Sequence, residues 1–114
     1  MRYKRALRVQ ELLLEEVSYL IQHELKDPRI GFATVTKIEL SDNLKHAKVF
    51  VSIMGDEAQR KSSLDGLNSA KGFMRSHLGK KLYLKFIPEL DFKLDETGDH
   101  VQKINKLIND LHHE

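Results

Sequence analysis

The spacing of apolar residues switches from helical to alternating and back, and this restricts the chain to a small α+β arrangement. Val9, Leu13, Val17, Leu20, Ile21 and Leu25 recur three or four positions apart, the period of one buried helix face. They predict a helix over 4–26, stopped by Pro28, because the residue before a proline leaves the α region. Residues 32–40 then alternate. Phe32, Thr34, Thr36, Ile38 and Leu40 fall on one face, and Ala33, Val35, Lys37 and Glu39 on the other, as in a β-branched strand. Ser41-Asp42-Asn43 is turn chemistry. Residues 47–54 alternate again, with Ala47, Val49, Val51 and Ile53 inward and Lys48, Phe50 and Ser52 outward. The two strands are expected to pair as an antiparallel hairpin.

Helical spacing returns after Asp56, whose side chain and that of Gln59 are placed for a reciprocal cap. Leu64, Leu67 and Ala70 share a face. Gly72 interrupts it, and Phe73, Met74, His77 and Leu78 resume it with altered phase, so two short helices joined by a kink at 70–72 are expected. Phe73 is read as core. A third strand is expected near 82–93, from Leu82, Leu84 and Phe86 and then Leu90 and Phe92. Pro88 places it at or near a sheet edge. Asp99 and Gln102 then cap a last helix with the stripe Val101, Ile104, Leu107, Ile108 and Leu111. The prediction is one α+β domain with helices on one face of a three-stranded sheet and the other face partly wet. Its body spans 1–95, followed by a C-terminal helical extension over 96–114. At 114 residues one domain is the natural size.

Charge is nearly balanced, with 19 Lys+Arg against 17 Asp+Glu, so only its distribution informs. Residues 66–88 contain no acid but carry Lys71, Arg75, Lys80, Lys81 and Lys85. Lys4, Arg5 and Arg8 fall on one side of the first helix, since positions three and four apart are neighbours. A helix start flanked by cations suits a phosphate backbone, because its N–H groups and dipole favour an anion. The bland alternative for each cluster is a solvated basic face. Arg75 suits a forked phosphate contact and Lys71 a point charge. About five such contacts would give a salt slope of roughly −3.5 to −4.5 in log K against log salt. Asp27 and Pro28 fit a helix stop, with Arg29 left to reach RNA. Phe50 is an open candidate for base stacking.

No cysteine is present, which excludes disulfides and thiol catalysis and fits a reducing cytoplasm. Glu11, Glu15 and Glu16 interrupt the leucines that follow the basic start, so no secretory leader is expected. Asp91, Asp95, Glu96 and Asp99 are the carboxylates a metal-dependent nuclease would use, but Asp95 to Asp99 also precede a helix, where acids serve as caps. His112-His113 lacks a partner at ligand spacing. No catalytic residue, metal site or cofactor is therefore assigned, and the chain reads as a non-enzymatic binding protein.

The element order, with two helices about a glycine-containing joint, resembles a type II KH domain, a fold that clamps nucleic-acid backbone. Ala70-Lys71-Gly72 stands where KH domains have a Gly-x-x-Gly loop. With Arg5-Ala6-Leu7-Arg8-Val9, Lys26-Asp27-Pro28-Arg29, Thr34-Val35-Thr36, Asp42, Leu44, Ala47-Lys48-Val49-Phe50-Val51-Ser52, Phe73-Met74-Arg75, Pro88-Glu89-Leu90-Asp91-Phe92 and Asp95-Glu96-Thr97, the chain closely resembles the bacterial ribosome-binding factor A family. That resemblance implies a cytoplasmic maturation factor that binds the immature small ribosomal subunit. It further implies a part in late processing of small-subunit rRNA near its 5′ end, and in growth in the cold. With it, the basic clusters are read as RNA contacts at Lys4, Arg5, Arg8, Arg29, Lys71, Arg75, Lys80, Lys81 and Lys85. A monomer is expected, with no membrane or small-molecule substrate. The rival is a protein–protein adaptor docking through the last helix, which otherwise packs on its own domain or forms a mobile arm.

Overall fold

A computed structural model describes residues 2–82, 84 and 86–96, with side chains from residue 5 onward. Lys85, the Lys4 side chain, Thr97, the expected C-terminal helix and His112-His113 lie outside the described residues. Helix α1, Arg2–Tyr19, buries Val9, Leu13 and Val17. It widens into a π-helical turn, Leu20–Glu24, that buries Leu20 and Ile21. The Leu25 N–H closes this turn on the Leu20 carbonyl at 3.0 Å. Leu25 is itself extended (φ −83°, ψ 126°), so the helix stops before residue 26 and clear of Pro28.

Strands β1 (Ala33–Leu40), β2 (His46–Ile53) and β3 (Glu89–Leu94) form one sheet in the order β1-β2-β3. The first pair is antiparallel and the second parallel. In β2, Ala47, Val49, Val51 and Ile53 are buried, as the alternation predicts. In β1 neither alternating set is the core face. Pairing passes from Val35↔Val51 to Lys37↔Phe50, which leaves Thr36 as an extra residue. Such a bulge moves the following residues to the opposite face. Ala33 and Val35 point inward before it, and Ile38 and Leu40 after it. Phe32 precedes the strand and is exposed.

Helix α2, Glu57–Ser69, opens with the expected reciprocal cap. The Gln59 N–H donates to Asp56 Oδ1 and the Asp56 N–H to Gln59 Oε1, both at 2.8 Å. Helix α3, Lys71–Lys81, follows after Ala70 and buries Met74 and Leu78. The helix breaks at Ala70 (φ −89°, ψ 1°), not at Gly72, which lies inside α3.

The third strand begins at Glu89 rather than 82. Before it, the Ile87 and Pro88 carbonyls find a side-chain partner. Arg75 Nε donates to the Pro88 carbonyl at 3.2 Å and its Nη2 to the Ile87 carbonyl at 3.1 Å. Ladder pairing starts only when the Glu89 N–H meets the Lys45 carbonyl at 2.8 Å. Among the described residues no helix is long and apolar enough to cross a membrane.

Candidate nucleic-acid interface

The kink presents a cationic helix start. Helix α3 has no side-chain cap and no acid in its first turn, so no side chain there offsets the positive end of its dipole. Lys71 is half-buried at its first position, and Gly72 and Phe73 are exposed beside it. A methyl group added at Gly72 would meet nothing within 4 Å. Glycine therefore leaves the backbone here bare to an approaching strand and relieves no internal crowding. Phe73, expected in the core, is 51% exposed. The break at Ala70 shifts the helix phase, so Met74 and Leu78 take the buried positions. Its ring lies 6.5 Å from that of His77.

The predicted cations divide by what holds them. Arg5, Arg8, Lys71 and Lys80 make no ion pair or side-chain hydrogen bond among the described residues. Arg75 is engaged by the Ile87 and Pro88 carbonyls, so its guanidinium braces the chain just before β3. Lys81 Nζ sits 3.5 Å from Glu16 Oε2 and 5.5 Å from the centre of the Tyr19 ring. It ties α3 to α1.

Arg29 is held by Asp27. Its Nη2 reaches Asp27 Oδ2 at 2.7 Å, and its Nε and backbone N–H donate to Oδ1 at 3.1 and 2.9 Å. The side-chain bonds first, and then the backbone one, hold the Asp27 carboxyl below its ordinary value; the side-chain bonds and then the Asp27 charge raise Arg29. The turn is further tied to α2 by buried Ser63. Its hydroxyl donates to the Arg29 carbonyl at 3.0 Å and accepts the Gly31 N–H at 3.1 Å. Asp27 and Arg29 thus build the turn, and Arg29 offers an already paired guanidinium.

Leu84, Phe86 and Pro88 lie between the two basic clusters. Lys81 lies against Glu16 and Tyr19 on the second half of α1, whereas Leu84, Phe86 and Pro88 line a cleft with Arg5 and Val9. These three residues thus share a cleft with Arg5 near the start of α1, and Phe86 is 64% exposed. Sequence reasoning missed this meeting. The signal available was Pro88, which marks where the strand cannot yet begin.

The wet face of the sheet is different. Acids balance its lysines: Lys37 lies 3.0 Å from Glu39 and Lys93 3.7 Å from Asp91, and the His46 ring is 3.7 Å from Glu89. Phe50 is half-buried there, with Lys37 Nζ 4.8 Å above its ring. This face lacks the cation excess a phosphate backbone needs. Among the described residues no cluster of His, Asp or Glu is placed to hold a metal ion.

Comparison with known proteins gives a consistent set. A family model described as ribosome-binding factor A matches residues 5–108. A ribosome-binding factor A from Natranaerobius thermophilus is 48% identical over 107 residues, covering 94% of this chain and 82% of the relative. A crystal structure of ribosome-binding factor A from Thermus thermophilus superposes with a TM-score of 0.71 at 24% identity, over 78% of this chain and 93% of that one. The Thermus thermophilus factor fitted into a cryo-EM map of a 30S complex superposes with a TM-score of 0.64 at 24% identity, over 75% and 90% of the two chains.

Proposed function

The chain belongs to the ribosome-binding factor A family, and from that premise we propose that it binds the small ribosomal subunit during maturation through its unpaired cations. The observation that carries this reading is the uncapped, acid-free start of α3, where Lys71, bare Gly72 and exposed Phe73 lie side by side. Arg5 and Arg8 on α1 and Lys80 on α3 supply further positive charge. The 30S complex of the Thermus thermophilus factor supports the choice of subunit. Contact is to rRNA backbone and shape, since most phosphate-directed contacts carry no sequence information.

The function is occupancy. The protein grips one conformation of immature rRNA, assists late processing near the 5′ end, serves growth in the cold, and leaves when the site matures. It works in the cytoplasm as a monomer, without cofactor or turnover. A ligand shifts a conformational equilibrium only by its differential affinity for the two states, so immature subunits must bind more tightly than mature ones.

The test is co-sedimentation with purified mature and immature small subunits across a salt series, for the native chain and for Lys71→Ala. Salt-sensitive binding that favours immature subunits and weakens in the variant is expected. Equal affinity for both subunits defeats the occupancy mechanism. Absence of subunit binding by the folded protein defeats the whole reading and favours a protein–protein adaptor.

A further inference from the structure

The open end of the β1–β2 hairpin carries two large apolar side chains that the core does not use. The Met54 N–H donates to the Phe32 carbonyl at 3.1 Å, one step beyond the Ala33↔Ile53 pair. Residues directly opposite in an antiparallel pair send their side chains to one face, with Cβ atoms about 5 Å apart. Ala33 and Ile53 are buried in the core, so alternation puts Phe32 and Met54 on the wet face. They are 81% and 75% exposed. A lone exposed apolar side chain is ordinary. A contiguous pair marks a contact surface, and aromatic residues and methionine are enriched in the centres of such surfaces. The next outward pair, Thr34 and Ser52, is small and exposed, which leaves the flank of the apolar pair open.

The backbone presents this pair already ordered. On one side the Gly31 N–H donates to Ser63 Oγ at 3.1 Å and ties the chain before Phe32 to α2. On the other side Gly55 turns the chain at φ +128°. A Cβ there would come within 2.6 Å of Gln59 Oε1, the atom that accepts the Asp56 N–H. A segment held in this way loses little freedom when a partner arrives.

The local charge is negative. Residues 31–34 and 52–58 contain Asp56 and Glu57 and no lysine or arginine. The α2 dipole offsets only about half a charge of these two acids. Glu57 makes no ion pair among the described residues. Arg29 is already held by Asp27, and Arg60, a turn along α2, has a partner of its own. A phosphate backbone finds no cation here to replace its counterions, whereas a basic protein segment meets a complementary charge.

We propose that this hairpin end docks a lysine- and arginine-rich protein segment of the small subunit. The segment packs an apolar side chain against Phe32 and Met54 and sets its cations toward Asp56 and Glu57. The proposal rests on the small-subunit reading above and goes beyond it: the unpaired cations meet rRNA, and this acid-flanked end meets protein.

The experiment is photo-crosslinking of the full chain carrying Phe32→p-benzoylphenylalanine, bound to purified small subunits. An adduct with a basic subunit protein is expected. In parallel, Phe32→Ser with Met54→Ser should bind intact subunits about tenfold more weakly, as loss of an apolar anchor does. It should bind protein-free small-subunit rRNA as the native chain does, with its unfolding midpoint in place. Glu57→Lys gives the sign of the partner. It should weaken subunit binding against a basic protein and strengthen it against RNA. An adduct with rRNA, with a second copy of the chain or within the same chain overturns the proposal, as does stronger binding by Glu57→Lys. If the native chain sediments with subunits but gives no protein adduct, only this docking surface falls and the proposed function stands. If it does not sediment with them at all, both fall.

Discussion

At the scale of single residues, cations that look equivalent in the sequence have different tasks. Arg75 forks onto two carbonyls. Arg75→Ala should therefore destabilise the fold by about 0.5–1.5 kcal/mol, the usual net worth of an intramolecular hydrogen bond, as read by urea unfolding. Arg75→Lys should not restore it, because an ammonium cannot reproduce the fork. Lys71→Ala should leave the unfolding midpoint in place and weaken subunit binding. The Asp27 carboxyl, lowered by Arg29, contributes stability that is fully present above its unfolded pKa and is lost as pH falls through the lower folded value. Its NMR titration should have a midpoint below the ordinary 3.8, returning toward it in Arg29→Ala. A midpoint unchanged by that variant would show that Arg29 is not the cause. Residue type alone foretold that these side chains carry charge. It could not tell which charge a neighbour distant in sequence had already claimed.

At the scale of elements, the two helices about Ala70 are positioned by close approaches as much as by their apolar stripes. A Cβ on Gly66 would come within 2.8 Å of Ile30 Cγ1 and 3.4 Å of Arg29 Cβ. Gly66→Ala should push the 27–30 turn from α2. It should cost about 1–3 kcal/mol in strain, against at most about 1 kcal/mol gained in helix propensity, for a lower melting temperature. Gly72 is the opposite case, with open space around it. Gly72→Ala should raise the melting temperature slightly, by about 0.5 kcal/mol of propensity, while weakening subunit binding if a strand approaches that backbone. A variant that binds as before would show that the kink is not the contact. Alternation located both hairpin strands and the inward face of β2. It failed in β1, because one extra residue at Thr36 inverts the pattern and is tied down by a bond to Asp95 Oδ2 at 2.6 Å, far along the chain.

At the scale of the whole molecule, four of the predicted contact cations are free to meet phosphate among the described residues: Arg5, Arg8, Lys71 and Lys80. If all four engage, log K for the subunit should fall against log salt with a slope of roughly −2.8 to −3.6, shallower than five contacts would give. A slope near zero in the co-sedimentation series would rule out a phosphate-dominated interface. What the amino-acid order determined by itself is everything local: helix and strand periods, the Asp56–Gln59 cap, the turn at 41–43, and the acid-free run from 66 to 88. These depend on neighbours a few positions away, and the chain carries that information directly. Only the tertiary structure decided which cations remain free, which aromatics face solvent, and that Arg5 shares a cleft with Leu84, Phe86 and Pro88. Those outcomes depend on pairing between distant segments, where a one-residue bulge or a single forked arginine changes which side chain is left exposed.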